Sequence, residues 1–195
     1  MNKNCIIEFF DEWADSWDAR MVRNEKVIST ILDNCQVREG ADVLDVACGT
    51  GVLIPDYLKR NVHSVTAVDI SGKMCAIAAR KFENCDRVTV RCCDIFEFVP
   101  EHLFDCIVVY NALPHFESDD ALVKHLSQML KRGGHLTIAH GASREAIIRH
   151  HGNVSEKVCR LLPEADQLAD VFEKYLTVSG VISDDEMYQV AGIKE

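Results

Sequence analysis

Val43-Leu44-Asp45-Val46-Ala47-Cys48-Gly49-Thr50-Gly51 decides how this chain is read. The run from Ala41 to Val46 is short and apolar, as expected of a buried strand. It ends in a loop where Gly49 and Gly51 allow the backbone to turn sharply and approach a ligand closely. A helix is expected next, through Leu53, Ile54, Tyr57 and Leu58. Strand, glycine loop and helix in that order leave exposed amides at the helix start, which favour an anion such as a carboxylate. In a parallel sheet, ligands sit beyond the carboxyl ends of the strands, so this loop is the first place to look for a site.

Outward from the loop the pattern alternates. Ser64 to Val68, Val88 to Cys92, Phe104 to Tyr110 and His135 to Ala139 read as strands. Between them Ser71 caps a helix through Met74, Ile77, Ala78 and Phe82, and Ser118 caps one carrying Ala121, Leu122, His125, Leu126, Met129 and Leu130 on one face. Gly133-Gly134 is expected to end that second helix with a left-handed residue. Strands alternating with helices predict a mostly parallel sheet covered on both faces. Two closing strands, Leu176 to Ile182 and Met187 to Ile193, are expected, the last antiparallel. Upstream, Ile6, Phe9, Phe10, Trp13, Ala14 and Trp17 fall at helical spacing, and Val27, Ile28, Ile31, Leu32 and Cys35 mark a second helix. Between sheet strands five and six, helices are expected over Ser143 to His151, over Ser155 to Leu162, and from Pro163 toward Lys174. The reading is one domain over 1–195, with an N-terminal helical cap at 1–38 and a helical lid at 142–174.

Composition narrows the partners. The chain has 195 residues and a formal net charge of −10, with no Lys/Arg cluster. Such a surface repels phosphate backbones, so nucleic acid is not expected as a partner. No apolar stretch is long enough to span a bilayer, so no membrane association is expected. The nine cysteines include no Cys-x-x-Cys pair, which suits reduced thiols packed as small hydrophobes in a cytoplasmic protein. Cys92, in a strand read as buried, belongs to that packing class.

A loop of this kind also serves dinucleotides. That pattern wants a third glycine three positions on, where this chain has Ile54. With Asp45 at the strand end, the segment Val43 to Gly51 instead resembles the first motif of class I S-adenosylmethionine-dependent methyltransferases, especially the quinone-biosynthesis type, with Ala47 where many relatives carry Gly. The resemblance implies a Rossmann-like, seven-stranded sheet and S-adenosyl-L-methionine as cofactor. It implies cofactor contacts from Asp45, Ala47, Gly49 and Gly51. Asp69, with Ile70 beside it, would hold the ribose hydroxyls, since a carboxylate accepts two hydrogen bonds. Asp94 and Ile95 would meet the adenine, and Asn111 would end the fourth strand near the transferred methyl group. Leu130 to Gly134 matches the family's turn into strand five. Taken singly, each acid reads equally well as a cap or turn residue.

Methyl transfer from a sulfonium is an in-line displacement that needs alignment more than a protein nucleophile. A protic acceptor needs a base, and histidine titrates near neutral pH. His115 and His140 follow strands four and five and are the candidates, against a packing role for each. Trp13, Trp17, His150 and His151 are placed on the lids. Zinc at His140, His150 and His151 has no ligand signature behind it, so no metal is expected. A small-molecule acceptor fits best. The rivals are a non-catalytic partner subunit of the same fold and a nucleotide-dependent oxidoreductase. The oligomeric state stays open, a homodimer included.

Overall fold

The structure is a computed structural model that describes residues 1–152 and 155–195. The side chains of His150 and His151 fall outside the described residues, and with them the expectation that these two histidines face the site. Two helices lead, α1 (Lys3–Arg20) and α2 (Glu25–Asn34). There follow β1 (Asp42–Val46), α3 (Ile54–Lys59), β2 (Ser64–Asp69), α4 (Gly72–Lys81), β3 (Val88–Cys92) and β4 (Phe104–Tyr110). After a short 3-10 turn at Leu113–His115 come α5 (Asp119–Gln128), β5 (Leu130–His140), α6 (Arg144–His151), α7 (Ala165–Phe172), β6 (Thr177–Ser183) and β7 (Tyr188–Ile193). No described helix is long and apolar enough to cross a membrane.

The seven strands form one sheet in the order β3-β2-β1-β4-β5-β7-β6. All pair in parallel except β7, which runs antiparallel to both β5 and β6. This is the Rossmann-like sheet expected. Chain order reverses between β1 and β4, so the crevice at their carboxyl ends is the natural ligand site. Each face of the sheet carries its own core. Leu44, Val46, Ile107 and Val109 pack with Leu122, Leu126 and Phe172 on one face. Val43, Cys106 and Val108 pack with Ile28, Ile31 and Tyr57 on the other. Alternation along β1 thus turns Asp45 toward the second core.

Four expectations need correction. Gly133-Gly134 does not end the preceding helix, which stops at Gln128. Both glycines lie inside β5, where the register with β4 shifts between Phe104 and Cys106. A Cβ at Gly134 would fall 2.9 Å from the Lys131 carbonyl and 3.0 Å from that of Phe104, so the backbones approach too closely for a side chain. Phe104 and Cys106 belong to opposite cores at the point where this register shifts. Second, residues 155–162 form no helix. A single turn closes on the Ser155 carbonyl, which accepts from the Val158 and Cys159 amides, and the chain then leaves helical geometry as the Arg160 amide and Nε donate to the Pro114 and Phe116 carbonyls after β4. Third, Cys92 is exposed, because β3 is the sheet edge. Fourth, the helix expected from Pro163 starts at Ala165 and is short, with the Gln167 side chain accepting from the Glu164 amide at 3.1 Å.

Candidate functional site

A cavity of about 290 Å³ opens at the carboxyl ends of β1, β2, β3 and β4. Its floor is built by backbone that only special residues adopt. Ala47 (φ +54°), Gly49 (φ +55°) and Gly51 (φ +82°) take left-handed conformations in the loop after β1. Asn111 (φ +55°) does so at the end of neighbouring β4. Strain of this sort persists only where surrounding bonds hold it. The Asn111 amide donates to the Ala139 carbonyl at 2.8 Å, and its Oδ1 accepts from the Gly141 amide at 2.9 Å. The Cys48 amide donates to the Val68 carbonyl at 3.1 Å, tying the loop to β2.

Four acids line the cavity, Glu117 and three aspartates at successive strand ends. Asp45 is buried, and its Oδ2 finds no hydrogen-bond partner among the described residues. Burial pushes its carboxyl up to about 8; nearby Tyr57 offsets part of this and the Asp69 charge adds to it. Asp69 accepts from the Gly49 amide through Oδ2 and from the Ser71 amide through Oδ1, both at 2.8 Å. Burial raises its pKa, and those amides hold the rise in check. Each oxygen keeps a second lone pair for a ligand hydroxyl. Asp94 accepts from the Phe96 amide at 3.0 Å and pairs with the ammonium of Lys3.

Helix α1 roofs the cavity through polar contacts that the sequence did not reveal. Asp11 accepts from the Ser71 hydroxyl and, at 3.1 Å, from the Lys73 amide at the start of α4. Asp18 accepts from the Thr50 hydroxyl at 2.6 Å and pairs with Lys81. Burial would raise the Asp18 carboxyl, but Lys81 and Thr50 outweigh it and hold it low. Lys3 completes the set at Asp94. Ile6, Phe10, Trp17 and Met21 face the cavity.

Of the residues singled out from sequence, Asp45, Ala47, Gly49, Asp69, Ile70, Asp94, Ile95, Asn111, His115 and Trp17 all line this cavity. Three do not. Gly51 lies beneath the loop, where a Cβ would fall 2.8 Å from Phe82 Cε2, so its smallness serves helix packing. Trp13 turns away and carries the Arg20 guanidinium on its ring at 4.4 Å. His140 is buried at the end of β5, its ring 5.9 Å from that of Tyr188 and outside the cavity lining. Tyr110, Phe116 and Glu117 line the cavity without having been singled out. Their closeness to Asn111 and His115 in sequence was the available signal. Among the described residues, no group of three or more His, Cys, Asp or Glu could hold a metal ion.

A parallel sheet with a cavity at its switch point, glycine-turned loop and acids at successive strand ends defines an α/β domain built to bind a nucleoside-bearing cofactor. Residues 43–134 match the family described as Methyltransferase domain. The chain is 30% identical over 153 residues to the malonyl-[acyl-carrier protein] O-methyltransferase of Priestia megaterium, covering 74% of this chain and 55% of that protein. It is 31% identical over 128 residues to the ubiquinone biosynthesis O-methyltransferase of Xylella fastidiosa, covering 64% and 52%. The chain therefore spans about half the length of these relatives. Its fold matches that of the N-methyltransferase NodS from Bradyrhizobium japonicum in complex with S-adenosyl-l-homocysteine, with TM-score 0.75 and 18% identity over 100% of this chain and 99% of that one. The matched segment, these relatives and the fold together support a class I S-adenosylmethionine-dependent methyltransferase.

Proposed function

We propose that the protein transfers a methyl group from S-adenosyl-L-methionine to a small-molecule acceptor. The observation that carries this reading is the cavity at the β1–β4 switch point, where Asp45, Asp69 and Asp94 stand at the ends of β1, β2 and β3. The residues fit the cofactor. Asp45 Oδ2 is a buried acceptor awaiting a donor, which a cationic amino-acid moiety supplies. Asp69 would hold the ribose hydroxyls, and Ile70, Ile95 and Asp94 would take the adenine. Ala47, Gly49 and Asn111 bring backbone close to the ligand, and Gly51 supports them from below. Bound there, the cofactor supplies an electrophilic methyl group.

The chain's own part is to align, exclude water and move a proton. Phe10 and Trp17 on α1, with Met21 just past its end, roof the acceptor side. A cavity of about 290 Å³ is at the small end for ligand pockets and must serve both reactants, which favours a small acceptor. His115 is the base for a protic acceptor; the position of His140 against Tyr188 fits packing better. The printed substrates of the relatives, a malonyl thioester and a quinone precursor, are starting points for an acceptor screen. Free thiols at all nine cysteines suit the cytoplasm.

Calorimetric titration with S-adenosyl-L-methionine tests the reading. Saturable binding is expected, weakened roughly ten- to a hundredfold in Asp69→Ala, the worth of a hydrogen-bonded charged group. An absence of saturable heat, or unchanged affinity in the folded variant, overturns it.

A further inference from the structure

His115 closes the 3-10 turn after β4, and its ring meets that of Phe10 edge to face at 4.9 Å. Its Nδ1 lies 3.0 Å from the carbonyl oxygen of Val158. A carbonyl can only accept, so Nδ1 carries the proton and, in the neutral ring, Nε2 carries the lone pair. That is the opposite of the arrangement in which Nε2 holds the proton. A base working through Nε2 needs this tautomer fixed before an acceptor arrives.

What brings the Val158 carbonyl there is Arg160, two residues on. Its amide donates to the Pro114 carbonyl at 2.9 Å. Its Nε donates to the Phe116 carbonyl at 2.6 Å. Its Nη2 pairs with Asp119, the first residue of α5. These partners bracket His115 on both sides. The pair is mostly shielded, with the side chains 25% and 18% exposed, so it is screened less than a surface bridge. Reaching a carbonyl and a carboxylate at once takes the planar fork of an arginine.

We propose that Arg160 is a positioning residue: it locks the His115 turn against the Val158 carbonyl and so fixes the proton of His115 on Nδ1. The importance of this to catalysis rests on the reading of His115 as the acceptor-side base.

Long-range 1H–15N spectra of the whole labelled protein read the tautomer directly. They are recorded at about pH 9, well above the ordinary histidine pKa, so that the ring is neutral. His115→Gln identifies the signal. The wild type should show a protonated Nδ1 and an unprotonated Nε2. Arg160→Met should move the ratio toward the Nε2–H form by about threefold to tenfold, the range that one ordinary hydrogen bond spans. Arg160→Lys, which keeps the pairing with Asp119 but not the fork, should fall between. Asp119→Asn should shift the ratio the same way, and it decides the matter if Arg160→Met does not fold. A wild-type Nε2–H signal, or identical ratios in the folded variants, overturns the proposal. Titration with S-adenosyl-L-homocysteine is run on the same samples. A protein that binds none of it refutes the cofactor reading, while the spectra still judge Arg160.

Discussion

Asp45 offers the sharpest test of how the site handles charge. Its carboxyl is buried and held at about 8, against 3.8 for an ordinary aspartate. At pH 7, roughly nine molecules in ten then carry the proton. A cationic cofactor favours the ionised form, so binding at pH 7 should expel about 0.9 proton. Repeating the titration in buffers of different ionisation enthalpy measures that release. Affinity should peak near pH 8, because Asp45 gains its charge over the range in which the ligand's own ammonium, with an ordinary pKa of about 7.7–8.0, loses its charge. Asp45→Asn should bind more weakly and lose both effects. The same group has a stability signature. The folded pKa is raised, so its favourable contribution is complete below about pH 4 and is lost as pH rises through 8. Between pH 4 and pH 7 the loss attributable to Asp45 is about 4 kcal/mol, and Asp45→Asn should remove it from the denaturation profile. Binding heats that do not vary with buffer at pH 7, together with identical pH profiles for wild type and variant, would refute the argument.

Glycine geometry gives a second test. Gly51→Ala meets both a left-handed backbone and a Cβ 2.8 Å from Phe82, whereas Gly40→Ala at φ +78° meets only the backbone term, with nothing within 4 Å. Chemical denaturation should give about 1–2 kcal/mol for Gly40→Ala and about 2–5 kcal/mol for Gly51→Ala; equal losses would count against the packing role. Asp18→Asn should loosen the roof. Tryptic cleavage after Arg20 should accelerate about two- to fivefold, in line with a partly exposed ion pair, and an unchanged rate would mean Asp18 does not hold α1.

The part of the fold closest to the opening motif was the most legible. A strand, two glycines and an aspartate constrain one another within nine residues, and Ala47 and Gly49 adopt the positive φ that such a loop requires. Asp69 and Asp94 could be placed because each closes a readable strand, an apolar run over Ser64–Val68 and an alternating one over Val88–Cys92. What escaped is whatever depends on distant partners. Asp11 and Asp18 look like the polar face of any amphipathic helix; only their bonds to Ser71 and Thr50, far along the chain, give them a task. Trp13 and Trp17 lie four apart and should share a face, yet Arg20 draws one ring outward while the other covers Gly49. Gly133-Gly134 fits a helix end as well as a strand bulge, and only pairing with β4 decides between them. Residues 155–162 have helical composition, but the turn after β4 offers their polar groups better partners. Cys92 alternates correctly for a strand, and nothing local says that the strand is an edge.

Helix α1 fully buries only Ile6 and Ala14. Beside the packing of Phe10 and Trp17, its seat is polar, with Lys3, Asp11 and Asp18 bonding to three different strand-end loops. Lys3 with Asp94, and Asp18 with Lys81 at the end of α4, are ion pairs that dissolved salt screens, whereas the sheet's two cores are apolar and have no such charges to screen. A ligand held beneath this helix should therefore leave sooner in concentrated salt than in dilute buffer, by the modest factor that partly exposed ion pairs carry.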